Sequence, residues 1–305
     1  MNITISPPTN IEELAIFLAK LNNDPRSHVG FCGEDKEEIF QTLCHDFSDL
    51  DVSQSFAVAY EKGFIVGAIG LDIDKDDQSA EVWGPFISEE IVDSNIIEEL
   101  WEQVLSYSSF QLNLVSFFLN KENVVGKEFV LKQGGVEKGQ DYILKAHRSE
   151  FNEGGMHGIE KYESTYEESF SHLHNAAFPN TYYGAQEIIS RLDEDNQLFI
   201  IKNDSKDIKG YVYVEADSEH GDGSIEYIAV SHGSRKQGVG TQLIKAALTY
   251  LFSYKEIEEI TLCVGKENEK ALNLYAAAGF KVKHDLIDFQ VTKPAIERNI
   301  DNSAL

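Results

Sequence analysis

Between Ser224 and Phe252 the apolar pattern of this 305-residue chain changes period. Ile225-Glu226-Tyr227-Ile228-Ala229-Val230 is dense in β-branched and apolar residues and predicts a strand. A turn follows, Arg235-Lys236-Gln237-Gly238-Val239-Gly240. Beyond it, apolar side chains recur at Val239, Leu243, Ile244, Ala247, Leu248, Leu251 and Phe252. That spacing predicts an amphipathic helix laid on a sheet. The pattern then repeats: Glu259 to Val264 reads as a strand and Asn268 to Gly279 as a helix. Asn268 is suited to the N-cap, Ala271, Leu272, Leu274 and Tyr275 form the apolar face, and Gly279 stops the helix.

The N-terminal half carries a worn copy of this pattern. Phe64 to Leu71 parallels Ile208 to Val214, and each leads into an acidic hairpin turn, Asp72 to Asp77 in one and Ala216 to Asp222 in the other. Ala80-Glu81-Val82-Trp83 mirrors Ile225-Glu226-Tyr227-Ile228 at an offset of 145 residues. The same offset sets Asn123 under Asn268 and Gly134 under Gly279. A period this long implies two domains and not a solenoid. The joint is expected near Arg148 to His157, at Glu153-Gly154-Gly155.

The turn at 235–240 has a distinct chemistry. A strand entering a helix through closely spaced glycines leaves backbone N–H groups aimed at one spot. The positive end of the helix dipole points there too, with two basic residues beside it. These features suit a phosphate or pyrophosphate. The dinucleotide pattern fails, because Leu243 stands where its third glycine belongs. The nucleotide P-loop fails as well: after Gly233 and Gly238 come Val239 and Gly240 in place of Lys and Ser/Thr.

Arg-x-x-Gly-x-Gly, five residues after the strand ends at Val230, resembles the acetyl-CoA pyrophosphate loop of the GNAT superfamily of N-acetyltransferases. Asn268-x-x-Ala-x-x-Leu-Tyr275 followed by Gly279-Phe280 is similar to that superfamily's second signature. The resemblance implies an α/β (α+β) chain of two tandem GNAT-like acyl-CoA N-acyltransferase folds, each a mixed, mostly antiparallel sheet flanked by helices. Residues 1–150 would be a degenerate copy and residues 156–305 the catalytic one. At the offset, Arg235, Gly238, Gly240 and Tyr275 correspond to Glu90, Asp93, Asn95 and Val130. Carboxylates would repel a pyrophosphate there, so the first copy is expected to complete the core or wall the substrate cleft.

The resemblance also implies roles for single residues. Backbone groups of Ile228, Ala229 and Val230 would bond the pantetheine, and Ile228 and Ala229 would supply an oxyanion donor. The turn Arg235, Lys236, Gln237, Gly238, Val239, Gly240 and Thr241 would hold the pyrophosphate, with Asn268 and Tyr275 completing the cofactor site. Tyr275 is the candidate acid for the departing thiolate. Strand parity puts Glu226 on the face of Ile228 and Val230, as a candidate base or a solvated strand residue. The implied reaction is acetyl transfer from acetyl-CoA to a primary amine of a small molecule or peptide. A non-catalytic CoA-binding module is one alternative; another acyl group or nucleophile on the same fold is a second.

Composition narrows the partners. With 26 Lys+Arg against 52 Asp+Glu the formal charge is −26. Nucleic acid and anionic membranes, which are bound through basic surfaces, are therefore not expected partners. The charge mildly favours cationic substrates such as polyamines, aminoglycosides or basic peptides, and equally serves solubility. Cys32, Cys44 and Cys263 are sparse and without metal spacing, which suits a reducing cytoplasm. Met1 to Asn10 has no apolar signal core, and the apolar stretch Phe64 to Leu71 is too short to span a bilayer. The expected protein is a cytoplasmic, metal-free monomer or homodimer. His172 and His174 point to different faces of a helix and read as surface residues, and His232 as a loop residue. Asp72 to Asp77 lacks the glycine and glutamate of a calcium loop and reads as a solvated turn.

Overall fold

The computed structural model describes residues 3–89, 91, 95–107, 111–151, 156, 158–203, 207–219 and 221–294. The first copy runs β1 (Ile3–Ser6), α1 (Ile11–Asn22), α2 (Lys36–His45), α3 (Val52–Ser55), β2 (Phe56–Glu61), β3 (Phe64–Asp74) and β4 (Ser79–Ile87). It continues through α4 (Ile96–Tyr107), β5 (Leu114–Asn120), α5 (Val124–Lys132) and β6 (Val136–His147). The second runs β7 (Glu160–Lys161), α6 (Glu167–Ala177), α7 (Ala185–Arg191), β8 (Asn196–Lys202), β9 (Ile208–Asp217) and β10 (Asp222–Val230). It ends with α8 (Val239–Leu251), β11 (Glu259–Gly265), α9 (Glu269–Ala278) and β12 (Lys281–Thr292).

The repeat is visible in these bounds. β5 and β11 begin and end at an offset of 145, as do β6 and β12. The caps obey the same offset. Asn123 Oδ1 accepts from Gly126 N at the start of α5, and Asn268 Oδ1 accepts from Ala271 N at the start of α9. Gly134 and Gly279, both left-handed at φ 79° and 110°, close the two helices. An L-residue with a side chain pays strain in that region, which is why glycine stands there twice.

The chain divides into two compact units: Met1–Asp141 with His284–Leu305, and Tyr142–Lys283. A single cut between residues 150 and 156 does not separate them, because the last strand of each copy changes units within its own length. In the first unit, β1 to β5 lie in sequence order. All neighbours are antiparallel except β4 and β5, which run parallel. β12 then pairs antiparallel with β5, Leu286 opposite Asn120 through Thr292 opposite Leu114. In the second unit, β10-β9-β8-β7 form an antiparallel sheet, and the later part of β6 lies beside β11. The joint expected at Glu153-Gly154-Gly155 lies outside the described residues, as do Glu90 and Asp93.

Strand alternation covers both faces of the second unit's sheet. Phe199, Val212 and Val214 pack with Leu243, Ile244, Ala247 and Leu248 of α8. Leu198, Ile200, Tyr211 and Tyr213 face the other way, with Phe170 of α6 and Ile188 of α7. Each such fully buried side chain stabilises the fold by roughly 1.5–3 kcal/mol relative to exposure. The first unit has one continuous core, in which Leu14 and Leu18 of α1 and Leu100 and Trp101 of α4 cover Phe56, Phe86 and Phe117. Among the described residues no helix is long and apolar enough to cross a membrane.

The acidic hairpin of the first unit is only partly the solvated turn expected from sequence. Asp74 Oδ1 accepts from Asp76 N and Asp77 N, both at 2.9 Å, and these residues are exposed. Asp72 is instead a half-buried strand residue, opposite Glu81 on β4. Burial, then the charges of Glu81, Asp49 and Asp74, push its carboxyl up to about 6. Burial and Asp288 raise Glu81 as well. A carboxyl raised in the folded state favours folding when protonated, so stability is greatest below the ordinary Asp range and falls as pH rises through about 6. Asp72→Asn is therefore expected to stabilise the protein at pH 8 by on the order of 2 kcal/mol, with the gain vanishing near pH 4. Thermal melts of both proteins at the two pH values check this; equal gains would refute it.

Candidate functional site

The strand and helix predicted around the glycine turn are β10 and α8, and the turn between them is built by its own short contacts. Ser234 N donates to Ser231 O at 2.9 Å, and Gln237 Nε2 donates to Gly233 O at 2.9 Å. Lys236 and Gly238 both have positive φ, 60° and 79°. Gly238 is the N-cap of α8 and offers no side chain to its first N–H groups. The first helical bond comes from Gln242 N to Gly238 O at 3.0 Å. The N–H groups of Val239, Gly240 and Thr241 precede it, as in any first helical turn. Nothing lies within 4 Å of the place a Gly238 Cβ would occupy. Open space, an uncapped helix start and left-handed residues beside it form a concavity for an anion.

Arg235 and Lys236 are exposed beside this concavity, and Arg235 Nε donates to Val230 O at 3.3 Å. The guanidinium is thereby held at the strand end. Gly240 has a different reason to be glycine: a Cβ there would sit 3.0 Å from Leu274 Cδ1 of α9. α8 and α9 thus approach closely at the mouth of the turn.

The two strands flanking the site are edges. β10 ends one sheet and β11 ends another, and no ladder joins them among the described residues. Ile228, Ala229 and Val230 pair with Val212, Tyr211 and Gly210 on one side. Their other side is open for an extended ligand backbone. Asn268 is the exposed N-cap of α9. Tyr275 is partly buried against the core of the unit, its ring edge-on to Phe280 at 5.4 Å. Burial raises its phenol above the usual range, so the hydroxyl holds its proton at neutral pH.

Strand parity fails at Glu226. The register slips between Ile225 and Tyr227, so Glu226 is the extra residue of a β-bulge. Ile225, Ile228 and Val230 pack on the α8 side, whereas Tyr227 and Ala229 belong to the opposite core. Glu226 is exposed, and its charge reaches the Tyr183 phenol. The bulge removes the parity argument that put Glu226 on the Ile228 face.

The connector after α6 was silent in the sequence. His174, expected on the surface, is 0% exposed. The reason is hydrogen bonding: its Nε2 donates to Tyr183 O at 2.9 Å, and its Nδ1 accepts from the Tyr211 hydroxyl at 2.6 Å. His172 and His232 are exposed, as expected. The available signal was aromatic density, Phe178, Tyr182 and Tyr183 within six residues, but it has no periodicity.

Two other concentrations of charge lie elsewhere. A cleft of about 510 Å³ at the β9–β10 hairpin is lined by Asp193, Asp195, Glu215, Asp217, Glu219 and Asp222. It sits at the opposite end of β10 from the glycine turn, roughly 25 Å away along the strand. In the first unit, His28, Glu34 and His284 bring three metal-capable atoms within 4.8 Å of one another. Their hydrogen bonds describe a brace: His28 Nδ1 donates to Asn22 O, His284 Nε2 to Glu34 Oε1, and Asn120 Nδ2 to His284 Nδ1. The two imidazoles are stacked at 3.6 Å and 9°, so their lone pairs lie in parallel planes and do not converge on one ion. Residues so far apart in sequence gave no spacing to read.

The chain is similar to known proteins in sequence and in fold. Residues 159–280 match the model of the Acetyltransferase (GNAT) family. The chain is 28% identical over 95 residues to spermidine N(1)-acetyltransferase of Escherichia coli strain K12, covering 31% of this chain and 50% of that protein. It spans about half the length of the curated relatives it matches. Its fold is that of a GCN5-related N-acetyltransferase from Sphaerobacter thermophilus, at a TM-score of 0.67 and 16% identity over 96% of each chain. A tandem GNAT protein from the clavulanic acid biosynthesis pathway matches at 0.62 and 13% identity, over 96% of this chain and 99% of the other. The tandem arrangement of two such folds, inferred from the 145-residue offset, is thus present throughout the described chain.

Proposed function

From the premise that residues 159–280 form a domain of the acetyltransferase (GNAT) family, we propose that the protein transfers the acetyl group of acetyl-CoA to a primary amine of a small molecule or peptide. One observation carries this reading. The uncapped start of α8, the open edges of β10 and β11, and Tyr275 occur together in the second unit. The residues present fit acetyl-CoA: an anion concavity for its pyrophosphate and an unpaired strand edge for its amide-bearing arm.

Bound acetyl-CoA supplies a thioester carbonyl open to attack by a neutral amine. The chain's own groups do the rest. The N–H groups of Val239, Gly240 and Thr241 hold the pyrophosphate, with Arg235 and Lys236 adding charge-assisted bonds and Asn268 fixing the start of α9. Backbone N–H groups near Ile228 and Ala229 stabilise the developing oxyanion. The Tyr275 hydroxyl gives its proton to the departing thiolate. Glu226, exposed at the bulge, takes the amine proton, directly or through water.

The first copy is proposed to be non-catalytic, since Asn95 and Val130 stand where Gly240 and Tyr275 do the work. The net charge of −26 and the spermidine-acetylating relative support a cationic amine as acceptor. The proposed setting is the cytoplasm, as a monomer or homodimer, with no metal, nucleic acid or membrane required.

Titration calorimetry with acetyl-CoA is expected to give one site per chain. CoA release should rise on adding a primary amine from a panel of polyamines, aminoglycosides and basic peptides. Two equivalent sites would refute the assignment of the first copy, and binding without release for any amine would leave a CoA-binding module.

A further inference from the structure

His174 lies at the centre of a hydrogen-bond network that the acyl-transfer chemistry does not use. Because a carbonyl can only accept, the contact to Tyr183 O requires the proton on Nε2. Nδ1 is then the acceptor for the Tyr211 hydroxyl of β9. Tyr227 of β10 ties down the same segment from the other side. Its hydroxyl accepts from Thr181 Oγ1 at 2.7 Å and from Tyr183 N at 3.1 Å. Both backbone groups of Tyr183 are thereby fixed, one by the imidazole and one by the phenol. The rings of His174 and Tyr227 also meet edge to face at 5.1 Å.

The segment so fixed adjoins the reaction centre. Tyr227 follows the bulge residue Glu226 directly and precedes Ile228 and Ala229. Tyr183, its ring under the Arg191 guanidinium at 4.3 Å, is within electrostatic reach of Glu226. Tyr182 beside it is 86% exposed. In the proposed site an amine approaching the thioester past Glu226 would pass this segment, and an exposed aromatic such as Tyr182 near a carboxylate suits a cation.

We propose that His174 is a positioning residue: as the neutral Nε2–H tautomer it pins Tyr183, and with it the wall that selects the acceptor amine beside Glu226. This rests on the acetyltransferase reading above. Burial lowers the His174 pKa, which keeps the ring in the neutral form the geometry requires. The imidazole is fully buried, bonded to Tyr183 and Tyr211, so it acts through the connector.

The test has a structural and a kinetic arm, with spermidine as the acceptor probe. In His174→Leu, hydrogen exchange of the Thr181 to Gly184 amides is expected to accelerate at least about 10-fold, while the β9 and β10 amides keep their protection. The KM for spermidine should rise about 10–100-fold with that for acetyl-CoA unchanged. His174→Gln, which retains an N–H donor toward Tyr183 O, should restore most of both. If His174→Leu does not fold, Thr181→Val and Tyr227→Phe, which remove the opposing bonds, should reproduce the KM split. Unchanged exchange of the connector, or parallel loss of affinity for both substrates, would overturn the proposal. Absence of acetyl transfer in the wild-type protein would sink the enzyme reading instead, leaving the exchange arm to decide on His174 alone.

Discussion

Tyr275→Phe is expected to lower turnover roughly 10²- to 10⁴-fold while leaving acetyl-CoA affinity nearly unchanged. The change removes one oxygen and retains the ring, so the edge-on contact with Phe280 and the place of α9 against the core persist. Binding is proposed to rest on the glycine turn and strand edges, none of which involve the hydroxyl. The loss should therefore fall on kcat and kcat/KM together, as for an interaction made only in the transition state. Glu226→Gln should shift the pH dependence of the rate where Glu226 relays the amine proton, and do little where it is only a solvated strand residue. Steady-state kinetics with calorimetry on each variant separate the two roles. Full activity in Tyr275→Phe would make Tyr275 a packing residue and return the acid to water.

Gly240→Leu is expected to weaken acetyl-CoA binding at least about 100-fold, or about 2.7 kcal/mol. The first atom of the new side chain already meets Leu274 Cδ1 at 3.0 Å and Val230 Cγ2 at 3.6 Å. The rest must move the start of α8 away from α9 or enter the space where the pyrophosphate belongs. Either would displace the N–H groups proposed to hold the phosphate. Gly238→Ala makes a useful contrast. Its surroundings are open, so its cost is the left-handed conformation alone, about 1–2 kcal/mol. Calorimetry beside thermal melts checks the pair, and near-normal affinity in Gly240→Leu would remove the turn from the binding site.

Local signals made much of the second unit legible. β10, α8, β11 and α9 were readable because periodicity, an asparagine cap and a glycine stop each act within a few residues. The tandem repeat was readable from Glu81 to Gly134 because both copies conserve strand and cap spacing. Three features were not. The bulge at Glu226 is set by pairing with β9, which adds one residue against Val214 and Tyr213 and so defeats counting by twos. The burial of His174 depends on Tyr211 and Tyr183, partners from other elements. The trade of terminal strands between units is invisible to an offset, because β6 and β12 have the same length and place in each copy and differ only in their partners, β12 lying beside β5 and β6 beside β11.

That trade sets an order of events during biosynthesis. The first unit needs residues beyond 284 to cover β5, yet those residues leave the ribosome after nearly all of the second unit. Until then the β5 edge offers unpaired backbone groups to other strands, the situation that invites aggregation or exchange with a neighbouring nascent chain. Completion of the first unit is in this way made to wait for the second: β1 to β5 can pair as they emerge, but the strand that covers β5 follows residues 142–283.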